Sequence, residues 1–197
     1  MTKKEDTTIH FERDCVPLET PAEYFGIKKF LIPILVQPKF FKRHKKPQGM
    51  IAEFIPDEKA VLFTVVWNNE HVPFTLISDK IYACYRKRKY GRVQDQQCFK
   101  VHYNSTLERP VGISSHNWTN YSKRKCGWCC SKGHNSHYFD LSNMEYMSHR
   151  PIIYVDSWYH GFSIRDGNVK KDKYVCKDLP LFKWKNLKNH GDPKSSL

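Results

Sequence analysis

The run Ala60–Trp67, AVLFTVVW, constrains this chain more than any other segment. Its β-branched and aromatic residues follow one another without the polar alternation of a half-exposed strand. Such a run predicts a strand covered on both faces, and therefore a sheet with further structure packed above and below it. Pro151–Trp158, PIIYVDSW, reads as a second strand, and Met50–Ile55 alternates weakly as a third. Asn68-Asn69-Glu70 is a turn candidate, with His71–Ile77 returning as a strand and Lys80–Tyr85 as another short one. Asp166-Gly167-Asn168 predicts a turn before a returning segment, Lys173–Trp184. Phe25–Val36 is apolar and broken at Pro33 and Pro38, so it forms a short helix or strand, whereas Glu108–Tyr121 is loop-like. No repeat, heptad pattern or long amphipathic helix is evident. The expected fold is mostly β.

A chain of 197 residues with 40% hydrophobic content can bury a core. Its ends read as a mobile arm over 1–20 and a polar tail over 188–197. Met1–Asp14 is charged and polar, unlike a secretory leader, and the longest apolar run, Phe30–Val36, is too short to span a bilayer. A cytoplasmic chain with no membrane partner is the expectation. The sequons at Asn104, Asn117 and Asn120 then read as chance, and seven Cys suggest metal ligands or buried thiols rather than disulfides.

Lys and Arg number 33 against 20 acids, a formal charge of +13. A chain this basic attracts polyanions, because covering phosphates releases their counterions. The cations cluster. Arg86-Lys87-Arg88-Lys89-Tyr90-Gly91-Arg92 reads as a phosphate-gripping segment with an aromatic able to stack, and Lys123, Arg124 and Lys125 stand beside Trp118, Tyr121 and Trp128. Basic groups interleaved with aromatics suit RNA ends or unpaired bases. The blander alternative is a solvated charged face.

Cys126 and Cys129 form a C-x-x-C with Gly127 between them, a turn that presents two thiolates at the bite zinc requires. Cys130, His134 and His137 are donors close by, and Cys84 and Cys98 are the distant thiols that could complete the set. A surface thiol pair without metal is the alternative. No phosphate-binding Gly-rich loop, G-x-S-x-G elbow or H-E-x-x-H helix occurs, so catalysis is not expected. A zinc-dependent nuclease around His134 and His137 is the best enzyme reading, yet it lacks clustered carboxylates.

From about Lys80 to Leu187 the chain resembles the C-terminal regulatory domain of RIG-I-like receptors, including the nematode Dicer-related helicases. The matching pieces are Cys98-Phe99-Lys100-Val101-His102-Tyr103, then Trp118, Tyr121 and Lys123–Lys125 ahead of Cys126, Cys129 and Cys130, then Arg150–Trp158, then Lys173–Phe182. The resemblance implies a module over 80–187 that follows a β-rich portion over 21–79, an assembly of twisted antiparallel β-sheets pinned by one zinc, and binding of double-stranded RNA at its ends or along its backbone. It extends the expected RNA contacts to His102 and Tyr154, and implies protein partners in a small-RNA or antiviral complex. The family's first Cys pair falls here near Thr75 and Asp79, so a retained zinc would draw on Cys84, Cys98 or a His. The family's strand Lys is Tyr154 here. A protein-interaction adaptor with an acidic partner remains a further reading of the same basic surface.

Overall fold

The computed structural model describes residues 8–39, 46–68, 76–118, 135–155 and 160–185. It is mostly β. Among the described residues, twelve strands join in one twisted, mixed sheet, accompanied by three α-helices. The N-terminal segment forms helix α1 (Phe11–Asp14), strand β1 (Cys15–Pro17) and helix α2 (Pro21–Phe25). Strands β2 (Ile34–Pro38), β3 (Gly49–Ile55) and β4 (Ala60–Trp67) follow, and then helix α3 (Leu76–Tyr90). Strands β5 (Asp95–Tyr103), β6 (Pro110–Trp118), β7 (Asn135–Asp140), β8 (Tyr146–Met147) and β9 (Arg150–Val155) come next. The last are β10 (Phe162–Ser163), β11 (Lys173–Cys176) and β12 (Leu181–Trp184).

The strands run in the order β1-β12-β3-β4-β5-β6-β10-β9-β2-β11, with β7 added to β6 and β8 to β9. Strand β4 is central, antiparallel to β3 on one side and β5 on the other. Its alternate residues Val61, Phe63, Val65 and Trp67 enter the main core, while Val66 joins a second cluster with Ile9, Cys15 and Ile51. The run AVLFTVVW is thus covered on both faces, as its composition demands. The main core also holds Leu35 of β2, Ile153 and Val155 of β9, and Phe162 of β10. Trp67 of β4 meets Phe162 of β10 and donates to Gln37 of β2, strands three and five places away in this order, so the sheet curls back on itself.

Several expectations are overturned. The sheet is not purely antiparallel: β12 with β3, β10 with β6, and β2 with β9 are parallel pairs. No boundary falls at 79/80, which lies inside α3. Strands from either side of it interleave, with β12 between β1 and β3 and β2 between β9 and β11. Residues 8–20 are not an arm, because Ile9, Cys15 and Leu18 are buried. The Gln94 amide pins this segment, accepting from Ile9 N at 2.8 Å and donating to Ile9 O at 3.0 Å.

The strand expected over Lys80–Tyr85, with the end of the one expected over His71–Ile77, is helix α3; residues 69–75 lie outside the described set. Its inward positions are Asp79, Tyr82, Ala83, Arg86 and Tyr90, a helical spacing whose two most buried members are polar. Hydrophobic periodicity therefore missed it. Gly91 ends the helix at φ 74°, its N–H donating to the Lys87 carbonyl at 3.1 Å. The expected loop Glu108–Tyr121 is largely strand β6. Gly112 there lies under the Tyr138 ring of β7, so close that a Cβ would stand 2.2 Å from it. Gly112 thus serves a close approach between strands.

Candidate functional site

Helix α3 divides the basic segment 86–92 into two sets with different roles. Arg86 is turned inward and 5% exposed. Its Nη2 donates to Asp95 Oδ1 and to the Gln94 carbonyl, each at 3.1 Å. The other Asp95 oxygen lies 2.8 Å from His160 Nδ1. The His160 ring stacks on Trp67, with centroids 4.2 Å apart and planes 9° off parallel, and Trp67 Nε1 donates to Gln37 Oε1 at 2.9 Å. Burial pushes the Asp95 carboxyl up, but the His160 hydrogen bond and the charges of His160 and Arg86 outweigh it and leave it below its ordinary value. His160 sits at φ 56°, in the left-handed region. A residue held there is over-determined by its surroundings, here the ring stack and the carboxylate. Arg86 is therefore an internal tie between α3, β5 and the β9–β10 connection, and is withdrawn from the phosphate-contacting set.

Lys80, Lys87, Arg88 and Lys89 are exposed on the outer side of α3, whose one acid, Asp79, is buried. Lys89 Nζ stands 5.4 Å from the Tyr85 centroid and 5.0 Å from the Tyr90 centroid. Hydrogen bonds with these two tyrosines push the Lys89 ammonium above its ordinary value, so it stays charged. Arg92 is half-buried; burial lowers it, as does the neighbouring Arg86 charge, while Asp95 opposes the shift. Lys87 and Arg92 share the lining of a shallow hollow of about 180 Å³ with Thr8, Asn68 and Gln94. Exposed Ile77 and Ile81 continue the outer side of the helix toward its N-terminus.

The other expected contacts lie away from α3. His102 is half-buried on β5, its Nε2 2.7 Å from Ser114 Oγ and its ring edge-on to Tyr138. Burial lowers its pKa. Tyr154 is 8% exposed, and its hydroxyl donates to a Glu145 carboxylate oxygen. Burial and then Glu145 raise that phenol. Trp118 ends β6 by pairing with Phe162 and Asn135, and its side chain lies outside the described residues. Tyr121, Lys123, Arg124, Lys125, Cys126, Cys129, Cys130 and His134 also lie outside them. Of the distant thiols, Cys84 is exposed on α3, while Cys98 is half-buried on β5, its Sγ 3.4 Å from Thr64 Oγ1. Burial raises the Cys98 thiol above its ordinary value. Among the described residues no three His, Cys, Asp or Glu side chains gather as a metal set.

A second cationic and aromatic cluster escaped the sequence reading. Lys39 Nζ lies 4.9 Å and Lys46 Nζ 5.6 Å from the ring centroid of Tyr174. The pairing of β11 with β2, which sets Tyr174 opposite Gln37, brings Lys39 and Lys46, the first and last residues of the basic run KFFKRHKK, to this ring. The run itself was a visible signal; its aromatic partner lies far along the chain. Exposed Lys170, Lys171 and Lys177 lie in the segments on either side of β11.

No family model, curated protein or solved structure matches this chain. The likeness of residues 80–187 to RIG-I-like regulatory domains thus rests on the short motifs quoted above. No helix among the described residues is long and apolar enough to cross a membrane.

Proposed function

We propose that the protein binds nucleic acid, with double-stranded RNA as the favoured form, and that α3 is its principal phosphate-contacting element. The observation that carries this reading is the segregation of charge on the helix: Lys80, Lys87, Arg88 and Lys89 outward, Asp79 and Arg86 inward. Cations so placed bind phosphates irrespective of sequence and confer a steep salt dependence. Tyr85 and Tyr90 beside Lys89 add ring faces to that surface. The choice of duplex RNA over other polyanions comes from the resemblance of residues 80–187, as does a place in small-RNA or antiviral pathways.

The triple substitution Lys87→Ala, Arg88→Ala, Lys89→Ala should leave the melting temperature close to wild type, since all three are exposed. It should weaken binding to a short RNA duplex by roughly a hundred-fold near 0.15 M salt, and the salt slope should fall by about 0.9 for each phosphate no longer neutralised. Unchanged affinity and slope would remove α3 from the interface. Arg86→Ala is the control in the other direction, with a large loss of stability.

Exposed Ile77 and Ile81 favour a second reading, an adaptor that docks an acidic protein on the same helix. Ile77→Ser together with Ile81→Ser should spare duplex binding if nucleic acid is the partner.

A further inference from the structure

A hollow of about 340 Å³ opens at the opposite end of β3 from the β2–β3 connection, where β12 parts from it. The β3–β12 ladder consists of two pairs, Leu181 with Met50 and Phe182 with Ile51. Beyond it Ala52, Glu53 and Phe54 face Lys183 and Trp184 across the hollow. Consecutive side chains of a strand alternate in direction. Three successive residues can line one hollow only if the backbone edge itself lines it. Strand β3 thus offers main-chain donors and acceptors there, beyond the point where β12 pairs with it.

The walls are aromatic. Tyr24 and Phe25 come from α2, Phe54 from β3 and Trp184 from β12. Phe25 is fixed by stacking on Phe30 at 5.6 Å and by Phe54 at 6.2 Å, while Tyr24 is 48% exposed and forms the outer lip. Lys183 Nζ lies 3.7 Å from the Tyr24 centroid. The charged groups among the lining residues are Glu53 and Lys183, one acceptor and one donor. The volume is at the small end of ligand pockets, which span about 300–1,000 Å³.

We infer that this hollow seats a single unpaired nucleobase, stacked against its aromatic walls, with its N–H edge on Glu53 and the backbone edge of β3, and its phosphate toward Lys183. The Glu53 carboxylate offers hydrogen-bond acceptors, so it selects a flat ring that carries N–H donors. Guanine, whose edge offers adjacent N1–H and N2–H groups, fits two carboxylate oxygens best. A quaternary ammonium would suit the aromatic walls but carries no N–H donor, and Lys183 repels it. The choice of a nucleobase over other flat rings rests on the nucleic-acid reading above. The surface is separate from α3, so the two fail separately.

The experiment titrates the full chain with guanosine, cytidine, adenosine, uridine and choline, observed by NMR or calorimetry, with short duplex RNA in parallel. Saturable binding is expected, strongest for guanosine. Tyr24→Ala should weaken it about ten-fold, and Glu53→Gln should flatten the preference among bases. Trp184 packs beside Phe11 and Phe182, so exposed Tyr24 is the variant whose folding is not at stake. Duplex binding should not respond to Tyr24→Ala. If no nucleoside binds while duplex RNA does, the base seat is wrong and the α3 reading stands. If guanosine binds and duplex RNA does not, the α3 reading falls and the seat stands. Choline binding as tightly as guanosine, or guanosine binding unchanged in both variants, overturns the seat.

Discussion

Asp95→Ala should cost about 3–5 kcal/mol of unfolding free energy, the range for removing one partner of a buried ion pair. The carboxylate is 4% exposed and receives Arg86 on one oxygen and His160 on the other. Its loss strands both at once, with Arg86 turned into the protein at 5% exposure. Denaturant unfolding with an unchanged m-value measures the effect. The exposed pair Lys100–Glu58, 2.6 Å apart, should by contrast contribute no more than about 1 kcal/mol. The same carboxyl predicts an acid limb. Folding lowers its pKa from 3.8, so as pH falls the unfolded chain takes up the proton first. The stabilisation is whole above roughly pH 5 and is lost as pH falls through the lower folded value. Asp95→Asn should lack this part of the acid dependence. A variant as stable as wild type would show that Arg86 and His160 are held by their other contacts.

What the residues made legible follows from which interactions are local. The runs at 60–67 and 151–155 are apolar on successive positions, and both are strands, because composition alone requires cover on two faces. Helix α3 was illegible since its inward anchors, Asp79 and Arg86, are polar, and Arg86 is satisfied by Asp95 and Gln94 across the sheet. For the same reason four adjacent cations looked equivalent. Only the position of β5 against the helix distinguishes buried Arg86 from exposed Lys87. The boundary at 79/80 failed because strands distant in sequence alternate in the sheet, an order no local pattern encodes. The gathering of Lys39, Lys46 and Tyr174, and of Tyr24, Glu53 and Trp184, depends on the same long-range pairings.

Phe63→Ala tests whether that interleaving makes one cooperative unit. Phe63 is fully buried on β4, stacked on Phe99 at 5.1 Å and tilted against Phe30 at 5.9 Å. Phe99 in turn meets Phe162 edge-on at 5.5 Å, so the aromatic chain runs from the α2–β2 connection through β4 and β5 to β10. Truncating such a ring removes its transfer free energy and leaves a cavity, a loss of about 3–5 kcal/mol. Against a typical total of about 5–15 kcal/mol, that is a large fraction of the fold's stability. Two modules joined at residue 80 would localise the damage to residues 21–79 and give two unfolding transitions. A single core, containing Leu35 and Ile153 alongside Phe63 and Phe99, predicts one transition, displaced as a whole. Hydrogen exchange should then show the amides of β2 and β9 losing protection together with those of β3 and β4. Protection lost in β3 and β4 while β9 and β10 keep wild-type rates would mean that the sheet, though continuous, unfolds in parts.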